Sequence, residues 1–582
     1  MSNEDGSVWV TYNGEFYDFQ PLREDLLRRG HVFKSRTDTE TIVHAYEEWG
    51  LELVHRMDGI YAFALWDKKQ RCLHIVRDRF GVKPLYYVLV GSRLLFSSEI
   101  KSLLCDPEVP CEVDQEALVV MANYRYCPEP ITLFKGIRKL PPAHTLTITE
   151  NDLKIQPYYK LGFIEPDAEE DITTQSDALQ DALRRATNRQ MIADVEVGFF
   201  LSGGIDSSTL LSLARARDDG NRFKTFTIGF RSEDQKGEGQ PDDLKYARRV
   251  SEMFECDHRE IILSPNIIDS LPKVIWHLDE PVADPAAISS YLICEQAKEH
   301  GVKVLQSGQG GDEVFCGYPW HLGAHLGLQY RKIPLPVRSG IERMLRLLPA
   351  TRGGRLTGTF RRLRKFSASA SLDFEPSLLG FLSYAGAPEL RGLFGNSIEA
   401  HARGELPHKY HSAFLSESKE YHYLNRLLHL DTNTFLPSLN LNYTDKTSMA
   451  FGVEVRVPLI DREIVEFMAI RSTDLKINGR NCKVLLKKAM EGVIPNDLIY
   501  RKKAGFGAPI RSWVKHDLRE MIEDLLSERQ IRNRGFFDPA YVTNLIGRNR
   551  SGQEDFNYLI YFLLSFELWC RQFMDSRPQF AA

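Results

Sequence analysis

The chain opens with short apolar or alternating runs separated by turn residues: Val8-Trp-Val-Thr-Tyr, Ile60-Tyr-Ala-Phe-Ala-Leu-Trp, Leu73-His-Ile-Val and Leu94-Leu-Phe-Ser. Successive side chains leave a strand on opposite faces, so this text predicts strands. Two stretches near 20–30 and 39–50 carry helical spacing instead. From Val8 to about Tyr159 the pattern describes a strand-rich α+β domain. The segment Ile164-Glu-Pro-Asp-Ala-Glu-Glu-Asp-Ile-Thr is acidic, holds a proline and lacks an apolar period, as an exposed linker does. Beyond it the pattern predicts a helix around 176–192, a strand through Val195-Glu-Val-Gly-Phe-Phe-Leu, a Gly/Ser turn, a helix from about 206 and a strand over Phe223–Phe230. Strands alternating with helices predict a parallel, doubly wound α/β sheet. From about 410 onward helical patterns dominate. The expected organisation is thus one domain over 1–160 and a second over 175–575.

Length and composition agree with two domains. A chain of 582 residues exceeds what one hydrophobic core usually supports, and 43% hydrophobic with 26% charged residues lies in the ordinary globular range. A formal charge of -5, from 74 basic and 79 acidic residues, supplies no general field for nucleic acid or an anionic membrane. An anionic ligand must be held by a local site. Nine cysteines, an odd number, run from Cys72 to Cys570 without a C-x-x-C pair, which argues against a disulfide framework and a zinc cluster and for a reducing, cytoplasmic setting. No basic stretch followed by an apolar core opens the sequence, and no run of about 18 apolar residues predicts a membrane span. One stretch departs from the average: Arg331 to Lys365 holds eleven Lys/Arg residues and one acid, Glu342. It reads as a basic, partly helical surface insertion, with contact to a membrane surface or polyanion as the sharper alternative.

The strongest chemical signal is Phe199-Phe200-Leu201-Ser202-Gly203-Gly204-Ile205-Asp206-Ser207-Ser208. An apolar strand runs into Ser-Gly-Gly and a helix starts at Asp-Ser-Ser. Two glycines allow a tight turn with inward N–H groups, and the helix adds its positive end, a combination suited to pyrophosphate. The hydroxyls of Ser202, Ser207 and Ser208 add donors, and Asp206 suits a magnesium ion travelling with phosphates. No lysine follows as in the G-x-x-x-x-G-K-[ST] loop, which points to cleavage between the α and β phosphates. The bland alternative is an ordinary strand–turn–helix with a Ser/Asp cap. A second glycine-rich turn, Ser307-Gly308-Gln309-Gly310-Gly311-Asp312-Glu313, follows the apolar Val302-Lys-Val-Leu. Alone it is a βα loop; with the first it predicts one magnesium shared between Asp206 and Asp312.

These turns, with Asp279-Glu280-Pro281-Val-Ala-Asp284-Pro285, Asp445-Lys-Thr-Ser-Met-Ala450, Glu454-Val-Arg456-Val-Pro458-Leu-Ile-Asp461 and Arg501-Lys502-Lys503-Ala-Gly-Phe506-Gly, resemble the asparagine synthetases of the glutamine-dependent amidotransferase class over nearly the full length. The resemblance implies an α/β ATP-pyrophosphatase domain with a helical C-terminal part. It also implies ATP-driven conversion of a carboxylate, aspartate above all, to an acyl-adenylate, followed by attack of ammonia. By the same resemblance Leu201, Ile228, Ser307 and Gly308 meet the adenosine, Ser202, Gly203, Gly204, Asp206 and Ser207 hold pyrophosphate, Asp206 and Asp312 hold Mg2+, and Lys503 stabilises charge at the α-phosphate. One departure falls inside this set. Where the family has Gly-Glu-Gly, with the glutamate taking a proton from ammonia, this chain has Gln309. An amide cannot be a general base, so water, phosphate oxygens or Glu313 must cover that step.

The first domain resembles class II glutamine amidotransferases, which implies an N-terminal-nucleophile sandwich, here incomplete. The matching residues are Tyr12-Asn13-Gly14-Glu15, Ser35-Arg36-Thr37-Asp38-Thr39-Glu40, Met57-Asp58-Gly59, Arg77-Asp78-Arg79-Phe80-Gly81 and Ser97-Ser98-Glu99-Ile-Lys101. Asn13 and Gly14 map to the oxyanion-hole pair, and Glu15 and Asp38 to contacts with the glutamine α-amino group. Relatives begin with a cysteine some way before this motif, whose α-amino group can serve as its base. The sequence given starts at Met1-Ser-Asn-Glu-Asp-Gly, so the expectation is a chain that lacks the nucleophile and works with free ammonia. Competing expectations are a same-fold amidase or β-lactam-forming enzyme acting on another carboxylate, and a non-catalytic binding protein. The expected partners are small molecules: aspartate or another carboxylate, ATP, and glutamine or ammonia. The sequence leaves oligomeric state open and is compatible with a homodimer.

Overall fold

The computed structural model describes the chain except residues 168–169, 218–219, 221, 232–233, 235–242, 264–266, 348–356, 396–405, 502–506 and 579–582. The first region is built on an antiparallel sheet of β1 (Val8–Phe16), β2 (Gly59–Asp67), β3 (Cys72–Arg77), β7 (His144–Ile148) and β8 (Leu153–Pro157), in that order. β2 is the middle of its core. Tyr61, Phe63 and Leu65 pack with Val8, Val10 and Phe16 of β1 beneath the helices α1 (Phe19–Arg28) and α2 (Asp38–Trp49). The intervening Ala62 and Ala64 face the other way, toward Ile75, Leu85 and Leu146. Large residues on one face and small ones on the other explain a run that is apolar throughout, because both faces are covered. On the alanine side lies the sheet β5 (Arg93–Ser97), β4 (Tyr86–Val90), β6 (Arg138–Lys139).

The second region is a parallel sheet in the order β11 (Asp257–Leu263), β10 (Lys224–Phe230), β9 (Val197–Phe200), β12 (Val304–Gln306), β13 (Glu454–Arg456). The chain runs outward from β9 through β10 to β11, then returns to the other side of β9 with β12. Strand order therefore reverses between β9 and β12, whose Phe199 and Gln306 are register partners. In doubly wound sheets the ligand crevice opens at such a switch point, outside the carboxyl ends of the strands. Both glycine turns leave those two ends. Helices dominate from Pro319 onward, earlier than the sequence pattern suggests. One of them, Asn557–Trp569, is largely apolar and buried along nearly its whole length, and it ends with Trp569 Nε1 donating to the Asp279 carbonyl (2.7 Å). Among the described residues no helix is long and apolar enough to cross a membrane.

The acidic linker is pinned, which its composition did not reveal. Ile164 N–H reaches the Ala469 carbonyl (3.1 Å), Glu165 Oε1 accepts from Thr473 N and Oγ1 (2.9 Å each), and Glu170 Oε2 accepts from Ser472 N (2.7 Å). Residues 168–169 of that segment lie outside the described residues. The basic segment forms helices Leu335–Leu347 and Thr357–Ala370, with Arg361 paired to Asp555 (3.0 Å) and Lys365 Nζ donating to the Ser383 carbonyl (3.0 Å).

The two regions share one core: a single apolar cluster runs from Tyr86, Ile100 and Phe134 to Phe226, Leu439 and Phe573. Buried ion pairs cross the same junction. Lys83 Nζ meets Asp445 Oδ1 at 2.9 Å, and Asp279 is shared by Lys101 (2.8 Å) and Lys446. Burial pushes the Asp279 carboxyl up, and the two ammonium groups more than offset this, holding it well below the usual carboxylate range.

Candidate active site

The first turn owes its shape to Gly203, which lies at φ 63, where a Cβ would sit 2.6 Å from Ala247 N. The helix Ile205–Arg215 follows at once. Its opening is wired internally: Ser202 N donates to Ser207 Oγ (3.2 Å), Gly204 N to Ser202 Oγ (3.3 Å), and Ser207 Oγ to the Gly204 carbonyl (3.3 Å). Arg501, which also lines the cavity, ties the turn down, donating to the Ser202 carbonyl (3.3 Å) while paired with Asp243 (3.0 Å).

The second turn reaches the first by close approach. A Cβ on Gly308 would fall 2.8 Å from Asp206 Cβ and 3.0 Å from Ser207 N, so only glycine lets the two loops touch there. Asp206 and Asp312 are thereby brought to one point, and that point holds a cation. Lys483 Nζ lies 2.6 Å from Asp206 Oδ1 and 2.6 Å from Asp312 Oδ1. Lys483 is buried and sits at φ 55, a left-handed conformation unusual for a lysine, just before the helix Val484–Ala489. Burial draws its ammonium down, and the two aspartates more than offset this and raise it. Sequence reasoning missed Lys483. Its left-handed turn leaves no mark in residue type, and it stands 277 positions from Asp206.

Gln309 reaches from the second turn to the helix Asn442–Met449 and donates both amide hydrogens, to Tyr443 OH (3.1 Å) and Thr444 Oγ1 (3.0 Å). Glu313 is fully buried; its Oε1 accepts from Asn440 Nδ2 (2.6 Å) and Tyr318 OH (3.0 Å), and burial with the charge of Asp312 pushes it up to about 7. Around both turns opens a cavity of about 1170 Å³. Leu201, Ile228, Ser307 and Gly308 line it together with Asp206, Gln309 and Asp312, as expected of a site for a large ligand. Arg125 reaches the same cavity from the first region. It pairs with Asp284 (3.4 Å), donates to Tyr384 OH (2.6 Å) and lies 3.6 Å over that ring. Lys503 lies outside the described residues.

The expected glutamine ligands gather at the junction of the two regions. Asn13, Gly14 and Glu15 end β1, and Asp38 opens α2 and accepts from Phe16 N (3.0 Å), locking helix to strand. Asn13 Nδ2 donates to Ser98 Oγ (3.2 Å). Glu15 faces Arg456 (3.6 Å), which is paired with Glu454 (2.7 Å) and whose carbonyl accepts from Ser307 N (2.9 Å). One residue of β13 thus touches both clusters.

Paired glycine turns at a sheet's switch point, aspartates converging on a cation and a large cavity beyond define a nucleotide-using α/β enzyme fused to an amidotransferase-like region. The sequence model for asparagine synthase matches residues 178–571, and that for a glutamine amidotransferase domain matches residues 1–159. Glutamine-hydrolyzing asparagine synthetase 1 of Bacillus subtilis is 31% identical over 98% of this chain and 86% of its own length. Asparagine synthetase 3 of the same organism is 31% identical over 85% of this chain and 75% of its own. Amidase chyE of Penicillium rubens is 25% identical over 92% and 82%. The chain belongs to the asparagine synthase family.

Proposed function

We propose that the chain amidates the side-chain carboxylate of aspartate to asparagine at the expense of ATP, with glutamine or ammonia as the nitrogen donor. A carboxylate oxygen attacks the α-phosphorus and the bond to the β-phosphate bridging oxygen breaks, releasing pyrophosphate. Ammonia then attacks the acyl carbon, AMP leaves and the nitrogen gives up a proton. The observation that carries this reading is the convergence of both turns on one cation position, Lys483 Nζ between Asp206 and Asp312.

One or two carboxylates, completed by water and phosphate oxygens, are what proteins commonly offer Mg2+, so Asp206 and Asp312 would hold that ion beside Lys483, and when bound it would neutralise phosphate charge. Pyrophosphate would take over the donors now used within the turn, the Gly204 N–H and the hydroxyls of Ser202 and Ser207, together with the Gly203 N–H. Leu201 and Ile228 wall the purine, and the backbone of Ser307 and Gly308 borders it. Lys503 stabilises charge at the α-phosphate. Arg125 beside Asp284 offers a cation and an anion together, as the carboxylate and ammonium of an amino acid need. Gln309 positions the Tyr443 and Thr444 hydroxyls instead of taking a proton. Asn13, Gly14, Glu15 and Asp38 serve glutamine.

ATP–pyrophosphate exchange against a panel of carboxylic acids tests the assignment. Aspartate should stimulate exchange and Asp206→Asn should abolish it. Stimulation by a different acid, with aspartate inert, would overturn the choice of substrate.

A further inference from the structure

We infer that the outer edge of the first region carries a binding site for a divalent transition metal of the zinc class, formed by Glu4, His31, His44 and Glu47. A donor atom from each lies within 4.8 Å of those of the other three. Three of the separations are shorter: His44 Nδ1 to Glu47 Oε2 is 3.1 Å, His44 Nδ1 to Glu4 Oε2 is 3.5 Å and His31 Nδ1 to Glu47 Oε2 is 3.6 Å. Ligands about 2.0–2.1 Å from a tetrahedral ion stand about 3.4 Å from one another, so those three edges already match.

Three of the four atoms that do not converge are hydrogen-bonded elsewhere. Glu4 Oε1 accepts from Val32 N (2.9 Å), and Glu47 Oε1 accepts from Asn3 Nδ2 (2.6 Å), itself buried. His31 Nε2 faces Glu48 Oε1 (3.1 Å) and His44 Nε2 faces Glu40 Oε1 (3.8 Å). Glu48 behind His31 is the outer-shell carboxylate that orients a metal-bound histidine, and Glu40 stands within ion-pair range behind His44. Glu40 is in turn fixed by Lys34 N (2.7 Å) and Ser35 N (2.6 Å). Charge agrees with geometry: of the four carboxylates around the two imidazoles Arg29 pairs with Glu48 (3.4 Å), and the negative charge that remains on Glu4, Glu40 and Glu47 favours a divalent cation. Two imidazoles with two carboxylates suit Zn2+ better than Mg2+, which favours oxygen donors alone. The donors come from the turn before β1, the loop after α1 and the middle of α2, so an ion there braces the helix whose first turn holds Asp38.

The test uses the full chain, stripped with a chelator and titrated with Zn2+ against a competing chromophoric chelator. Asp206→Asn serves in parallel to remove the other carboxylate pair. One equivalent should bind, persist in Asp206→Asn, and weaken about 100-fold or more in His31→Gln. Glu48→Gln, an exposed outer-shell change that leaves the fold intact, should weaken it about 10- to 100-fold. Co2+ at the same site should show the visible bands of a tetrahedral complex, and ammonia-dependent pyrophosphate release should be unaltered in both variants. No bound equivalent, affinity equal to the parent's in His31→Gln and in Glu48→Gln, or loss of binding in Asp206→Asn alone would overturn the inference.

Discussion

Replacing Lys483 by methionine keeps a long unbranched side chain and removes the charge between Asp206 and Asp312. At an effective dielectric constant of about 20, each 2.6 Å contact is worth roughly 6 kcal/mol before desolvation. The two carboxylates, held at most about 5 Å apart by the shared ammonium, then repel by roughly 3 kcal/mol. Desolvation of the lysine takes back much of the gross attraction, and measured losses for breaking buried pairs are about 3–5 kcal/mol. Both aspartates retain some solvent access, so about 2–3 kcal/mol of lost stability is expected for Lys483→Met. If the vacated place takes a divalent ion, as proposed for Asp206 and Asp312, Mg2+ without nucleotide should restore most of the loss. Thermal unfolding with and without millimolar Mg2+ reads this directly: the parent chain should respond little and the variant strongly. A variant as stable as the parent, or one whose Tm ignores Mg2+, would refute the argument that these carboxylates form one cation position.

Gly308→Ala places a methyl 2.8 Å from Asp206 Cβ; pyrophosphate exchange should fall at least about 10-fold while circular dichroism stays unchanged. Glu313→Gln should lower ammonia-dependent kcat about 100-fold with the KM for ATP little altered, whereas an unchanged kcat assigns the proton to water or phosphate oxygens. Lys503→Ala should cost roughly 3–4 kcal/mol in kcat/KM, read from initial rates of pyrophosphate release. Lys446→Met leaves the buried Asp279 with Lys101 as its remaining partner in that trio, and denaturant unfolding should show about 3–5 kcal/mol of lost stability.

The fold and the turns were legible because their causes are local. Alternating residues in β1 to β3 and the Ser-Gly-Gly turn after β9 are dictated by neighbours within a few positions, and the structure places them within a few residues of the expected limits. The linker shows where composition stops. Its acidity is visible, but the backbone N–H groups of Ser472 and Thr473 that receive Glu170 and Glu165 lie about 300 positions away. The same holds inside the cavity for Arg125, which reads as an unremarkable arginine after a helix and becomes part of the site only because the two regions share a core.

Lys483 is the sharpest case, and it changes how the two aspartates are understood. From sequence, Asp206 and Asp312 are magnesium ligands waiting for nucleotide, which would leave two like charges together in the chain alone. Such a pair would push the loops apart, against the close approach that Gly308 permits. A buried lysine held in left-handed backbone resolves the conflict: its ammonium bridges the pair, halves their net charge and keeps both turns in register before any ligand arrives. The strain of that backbone, on the order of 1–3 kcal/mol, is smaller than the repulsion it prevents together with the contacts it makes. The prearranged turns then cost little to order on binding, which is the physical basis for proposing this place, and not the cavity at large, as the seat of catalysis.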